Sequence, residues 1–233
     1  PAMIYHIAAL ARIQTSLSDP SLHIKNNFIS TLNVLELARK YDLPVIYAGS
    51  SSFHDGLYGS PYAWVKWSGE ELCKLYSSVY SVATSICRFY NVYGPHQLMD
   101  GPYCTVVGVF QEQYKNGKSL TITGDGEQRR DFTHVDDIVE GLIQVNNAMN
   151  GMVDMVYHGA EWEFGRGVNH SINELTSYFG SDYPTEYISS RKGEYDITLC
   201  KDKNTRELLD WNPTINLEDY IQDFVETERF LTE

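Results

Sequence analysis

No part of this sequence stays free of polar residues for the roughly 18 positions a helix needs to cross a bilayer, and the N-terminus lacks the basic-then-apolar order of a secretory signal. A membrane partner is thereby disfavoured. Basic residues are also scarce. Lys and Arg number 18 against 31 Asp and Glu, a net charge of −13, which argues against a nucleic-acid backbone or an anionic membrane as the main partner. Cys73, Cys87, Cys104 and Cys200 form no CxxC pair and join no His/Cys cluster at zinc-ligand spacing, so a disulfide scaffold and a metal centre are not expected. They read as reduced thiols of a cytoplasmic protein. There is no internal repeat and no low-complexity segment. What is present is globular: 42% hydrophobic, 13% aromatic and 21% charged residues in a chain of 233, enough for one large domain or one and a half ordinary ones.

The hydrophobic pattern alternates between strand and helix. Residues 3–9, 45–49 and 82–89 are short apolar runs. Between them, residues 24–39 carry Ile24, Phe28, Leu32 and Leu35 at helical spacing, and residues 62–80 place Val65, Leu72, Leu75 and Tyr76 on one side. This order predicts an α/β fold, a Rossmann-like parallel sheet with crossover helices. From Asn91 onward Gly, Pro and Asp cluster and the pattern loosens. Helices are expected at residues 135–149 and 171–179, and a last one from Leu217 with Tyr220, Ile221, Phe224 and Val225 on its apolar face. We expect a dinucleotide-binding domain over residues 1–95 and a smaller mixed α/β lobe over 96–233, with about 131–160 returning to the first domain.

Chemistry is most visible where Tyr62 and Lys66 stand four residues apart at the start of a predicted helix. They share a face one turn apart, and an ammonium near a phenol stabilises phenolate, which suits a tyrosine general base for an alcohol. Spacing alone is weak: 17 tyrosines and 9 lysines give about 0.7 such pairs by chance, and Tyr114 and Lys118 form a second one. Context adds weight. The strand ending in Tyr47-Ala48-Gly49 runs into Ser50, Ser51 and Ser52, and the next leaves through RFYNVYGP at the same predicted sheet edge, where open α/β sheets bind ligands.

The ordered series His6-Ile7-Ala8-Ala9-Leu10, Asn26-Asn27, the three serines, Tyr62/Lys66, RFYNVYGP and GDGEQRRDFTHVDD resembles the extended short-chain dehydrogenase/reductase family, in its NAD-dependent nucleotide-sugar epimerase and dehydratase branch, and runs along nearly the whole chain. The resemblance implies NAD as cofactor and a nucleotide sugar, a UDP-hexose, as substrate. It implies transient oxidation at C4, with Tyr62 as acid and base, Lys66 on the nicotinamide ribose, and Ser50, or Ser51 in its place, bonded to the reacting hydroxyl. Ala8, Ala9 and Leu10 would pass under the cofactor, Asn27 would shape the helix beside Lys66, and Tyr90 would lie near the nicotinamide. For substrate it implies Asn91 near the diphosphate, Thr105 and Val106 after the glycine-rich turn, Thr121, Ile122 and Thr123 by the base, and Arg130 and Arg191 on phosphates. An arginine fork matches phosphate oxygens, although Arg130 could instead pair with Asp131 at the surface. Relatives dimerise through the two helices that here are residues 24–39 and 62–80, with Trp64 and Trp67 as contact or core residues.

The departures from the family pattern set the alternatives. Dehydratases place Asp-Glu after the strand-end hydroxyl, where this chain has Ser51 and Ser52, so 4,6-dehydration is disfavoured. A GDP-fucose-synthase-like epimerase/reductase has a histidine after Tyr-Gly-Pro, which His96 matches, and a cysteine where Ser52 stands. No Gly-x-x-Gly-x-x-Gly loop follows a strand, and the chain opens on what reads as the fourth strand of the fold, so more than one βαβ unit is expected ahead of Pro1. A catalytically inactive fragment that binds a nucleotide sugar or a partner subunit is therefore the alternative from outside enzymology. The link from Ser50 to Tyr62 is also shorter than in typical relatives, which leaves Ser50 and Ser51 both open as the reacting serine.

Overall fold

The computed structural model describes residues 2–54, 56–151, 158–191 and 193–232. The chain divides into two compact units. The first comprises Pro1–Phe89, Val139–Phe164 and Asp202–Trp211; the second comprises Tyr90–Ile138, Gly165–Lys201 and Asn212–Glu233. Of the segment expected to return to the first domain, residues 152–157 lie outside the described residues.

The first unit is a four-stranded parallel sheet. Its strands are Ile4–His6 (β1), Val45–Ser50 (β2), Thr84–Phe89 (β3) and His158–Phe164, hydrogen-bonded in that order. Every residue of β2 is buried, as a central parallel strand requires. The fourth strand was not expected. In HGAEWEF, Trp162 and Phe164 alternate with Glu161 and Glu163, and the carboxylates of this last strand become intelligible only once their partner on β3, Arg88, is known.

The helices α1 (Ile13–Ser18), α2 (Pro20–Tyr41) and α3 (Pro61–Tyr80) precede β2 and β3. Local chemistry sets their ends. Asp19 accepts a hydrogen bond from Leu22 N at 2.9 Å ahead of Pro20, and Ser60 accepts from Ala63 N at 3.1 Å ahead of Pro61, so each long helix starts with a side-chain cap followed by proline at its first position. Asp42 (φ 52°) and Ser81 (φ 57°) end them in the left-handed conformation. The two helices pack on the sheet through Leu35, Ala38, Tyr47, Cys73, Tyr76 and Ile86. Contact between α3 and β2 is close enough to require glycine at position 69, where a Cβ would fall 2.7 Å from Tyr47 Cζ.

The second unit is built around Phe110, Leu120, Ile122, Leu175, Phe179, Leu217 and Ile221. Its helix Val106–Lys115 leads to the strand Leu120–Thr123, which pairs in parallel with Thr185–Ile188. Strand Arg129–Asp131 pairs antiparallel with Asn169–Ser171. Asp131 is fully buried and accepts three backbone N–H bonds of 2.9 Å, from Arg166, Gly167 and Cys200, so one carboxylate ties three segments of this unit. The last helix, Leu217–Thr232, buries Leu217, Ile221 and Val225 and half-buries Tyr220 and Phe224 on the predicted face.

Candidate active site

Parallel strands carry their chain ends to one edge of the sheet, and at that edge of the first unit β2 ends on Ser50 while α3 begins with Tyr62. The Ser50 hydroxyl lies beside the Tyr62 phenol and lowers its affinity for a proton. A three-residue turn, Ser51–Phe53, comes next, in which Ser52 N and Ser52 Oγ both donate to Ser50 Oγ, at 3.3 and 2.9 Å. Ser50, not Ser51, is thus the serine that acts on the Tyr62 phenol, and Ser52 orients it. Nothing in the spacing of three consecutive serines singled out Ser52.

Tyr62 is half-buried, and its backbone N–H donates to the fully buried Ser16 Oγ at 3.2 Å, which docks α1 against the start of α3. Burial raises the affinity of the Tyr62 phenol for its proton, while the Ser50 hydrogen bond and the positive charge of Arg12 lower it. Arg12 precedes α1 with φ 85° and ψ 132°, a conformation costly for a residue with a side chain. It carried no motif signal. Lys66 is buried; its ammonium donates to the Ala48 carbonyl and lies 4.3 Å from the centre of the Tyr47 ring. The charge acting on Tyr62 here is therefore that of Arg12, and Lys66 faces β2.

Residues 7–9 are exposed beyond β1. Asn27 holds this run from α2, accepting from Leu10 N at 2.8 Å and donating to Leu10 O at 2.9 Å, and His23 bonds the same residue's backbone. Asn27 thus shapes the segment holding Ala8, Ala9 and Leu10.

Behind Lys66 on α3, Glu70 binds Arg88 of β3 in a buried fork, with Oε2 at 2.7 Å from Nη2 and 3.1 Å from Nε. Arg88 also binds Glu161 and Glu163, each at 2.8 Å, and lies 3.7 Å from the centre of the Phe53 ring. His54 Nε2 meets Glu163 at 2.9 Å, and Lys74 binds Glu161 at 2.6 Å. Burial raises the Glu70 carboxyl and its bonds to Arg88 pull it back. The sequence held half of this signal, since Glu70 lies one turn beyond Lys66 and Arg88 opens RFYNVYGP.

The other named residues belong to the second unit. Tyr90 is buried. Asn91 donates from Nδ2 to Asp131 O and to Thr198 Oγ1, both at 3.0 Å. Thr105 directly precedes the helix whose first residue is Val106, and its hydroxyl donates to Gln97 at 3.1 Å. Thr121 and Thr123 are half-exposed while Ile122 is buried in the core, which leaves only the Ile122 backbone for a ligand. Thr121 is engaged by Gln113, at 3.1 Å through its N–H and 2.8 Å through its hydroxyl. Arg130 donates to Arg129 O at 2.9 Å, and Arg191 is exposed.

The buried ammonium makes a pH prediction. Burial holds Lys66 down at about 8 against an ordinary 10.5. The folded chain then binds fewer protons at this site than the unfolded chain between those limits, so the residue's contribution to stability rises with pH across that window. Below it the penalty is fully in force, on the order of 3 kcal/mol. In Lys66→Met, urea denaturation should therefore show a wild-type-minus-variant stability difference that climbs with pH from about 8 to 10.5. A difference independent of pH would place the ammonium in water.

Comparison with known proteins gives the family. Residues 1–158 match the family model described as "NAD dependent epimerase/dehydratase family". A UDP-glucuronate 4-epimerase from Thermodesulfobacterium geofontis is 30% identical over 229 residues, which covers 93% of this chain and 69% of the relative. A putative UDP-glucose 4-epimerase from Methanocaldococcus jannaschii is 32% identical over 241 residues, 94% of this chain and 74% of the relative. Among solved structures, the UDP-glucuronic acid 4-epimerase of Bacillus cereus, in complex with UDP-glucuronic acid and NAD, superposes with a TM-score of 0.86 at 28% identity, over 99% of this chain and 76% of that one. The chain belongs to the NAD-dependent epimerase/dehydratase family.

Proposed function

We propose that this chain is an NAD-dependent nucleotide-sugar 4-epimerase acting on a UDP-hexose. The observation that carries the reading is the meeting of Ser50 at the end of β2 with Tyr62 at the start of α3, with Lys66 one turn further on. Inversion at C4 needs one group that takes a proton from the hydroxyl and later returns it. A phenol pushed up by burial and drawn down by a hydrogen bond and a cation is suited to both directions. In this role Tyr62 Oη receives the C4 hydroxyl proton, Ser50 Oγ keeps the hydroxyl aligned, and Lys66 contributes the positive charge at the ribose. When bound, NAD supplies a reversible acceptor for the C4 hydride.

The residues suit that cofactor. The exposed run with the small side chains of Ala8 and Ala9 offers a flat backbone, held at Leu10 by Asn27, and Lys66 and Tyr62 supply donors. Asn91, Thr105, Val106, Thr121 to Thr123, Arg130 and Arg191 are our candidates for the nucleotide and phosphates, and Tyr90 for the nicotinamide. Ser51 and Ser52 in place of an acidic pair favour epimerisation over dehydration.

We place the protein in the cytoplasm, consistent with four buried cysteines that form no disulfide. Among the described residues no helix is long and apolar enough to cross a membrane.

Tyr62→Phe tests the chemistry. UDP-glucose to UDP-galactose conversion in the presence of NAD should fall by about 10²- to 10⁴-fold, with UDP-glucose binding by calorimetry little changed. A variant that retains the full rate contradicts the assignment of Tyr62, and a wild-type chain that binds UDP-glucose without converting it favours a binding role.

The same reading includes a homodimer through a four-helix bundle of α2 and α3. Leu22, Ile29, Leu37 and Tyr41 on α2 and Leu75, Val79 and Tyr80 on α3 are exposed, while Trp64 and Trp67 are half-buried. Sedimentation velocity should return twice the chain mass, and Leu37→Glu should lower it to one. A wild-type monomer at micromolar concentration contradicts the dimer.

A further inference from the structure

The direction of the Ser50 hydroxyl is set by something other than the sheet. Register with Phe89 fixes its backbone, but Ser50 Oγ is held by Ser52, and Ser52 belongs to a single 3₁₀ turn of three residues. Such a turn has little stability of its own. Two side chains, Phe53 and His54, fasten it. Phe53 lays its ring over the Arg88 guanidinium, 3.7 Å from ring centre to carbon, and His54 Nε2 meets Glu163 at 2.9 Å.

Arg88 is a firm base for that ring. Its side chain is 3% exposed and its nitrogens bind Glu70, Glu161 and Glu163, which lie on α3 and on the strand His158–Phe164. The edge of the guanidinium is engaged by carboxylates and its face is covered by an aromatic ring, an arrangement that suits arginine and not lysine. One immobile plane thus connects the turn after Ser50 to the helix that carries Tyr62 and Lys66.

We propose that Phe53, stacked on Arg88, is a positioning residue that fixes the turn after β2 so that the Ser50 hydroxyl stays beside the Tyr62 phenol, the task a longer loop would otherwise have to perform. This rests on the reading of Ser50 and Tyr62 as a catalytic pair. Phe53 is half-buried, so truncating it opens little of the core, whereas removing Arg88 would strand the buried Glu70 carboxylate.

The test needs no cofactor. In chain labelled with ¹³C at the tyrosine ring, the Tyr62 signal is identified by its loss in Tyr62→Phe and titrated with pH. Ser50→Ala should raise the proton affinity of Tyr62 about threefold to tenfold, the worth of one hydrogen bond. Phe53→Ala should raise it by most of that amount, the double variant by no more than Ser50→Ala alone, and Phe53→Tyr, which restores the ring, should lie within about twofold of wild type. If Phe53→Ala does not fold, Phe53→Leu, which keeps the bulk and removes the π face, is read by the same criteria. If Ser50→Ala moves the titration while the Phe53 variant leaves it in place, or if the two shifts add in full, the positioning role is wrong and the catalytic pair stands. If Ser50→Ala itself moves nothing, the pair and the proposal both fall.

Discussion

The buried guanidinium of Arg88 is the constraint on which the geometry of the first unit depends. A charge inside a fold is tolerable only when its donors are engaged, and here three carboxylates from α3 and the strand His158–Phe164 surround it. With either side incomplete, the other is left as an uncompensated buried charge, a cost of several kcal/mol. The strand pairing, the placement of α3 and the turn after Ser50 are consequently coupled through one side chain. Ser50 at the sheet edge and Tyr62 and Lys66 on α3 inherit their positions from that coupling.

At the edge itself the fold works against the preferences of isolated side chains. Tyr62 holds its proton more tightly than a free phenol would, and Lys66 holds its own less tightly, because both are taken out of water. Ser50 and Arg12 pull Tyr62 back toward usable values. Arg12 does so from a backbone conformation that costs about 1–3 kcal/mol. Strain of that kind persists only where surrounding contacts over-determine it, and the Ser16 bond to the Tyr62 backbone is one such contact.

Most of the sheet was legible because its determinants are local. The apolar runs of β2 and β3, the Ser-Pro start of α3 and the periodic face of α2 each lie within a few residues of one another, and helix α2 exceeded the expected range only at its polar first turn and its last residues. The strand His158–Phe164 was hidden because its glutamates read as exposed until Arg88 accounts for them. Tyr62, Lys66, Ser50 and Asn27 were named from an ordered series of short motifs. Ser52, Arg12 and Phe53 were not, since each acts through a partner that spacing does not reveal: a hydroxyl two residues back, a phenol 50 residues away and a guanidinium 35 residues away. The second unit shows the same division. Its last helix is evident from periodicity, whereas the three backbone bonds to Asp131 depend on segments distant in sequence.

The central claim is that Ser50 and Tyr62 together receive a sugar hydroxyl. A crystal structure of the chain with NAD and UDP-glucose tests it most directly. The account predicts the C4 hydroxyl oxygen within hydrogen-bond distance of both Tyr62 Oη and Ser50 Oγ. A bound sugar whose C4 hydroxyl reaches neither would contradict it.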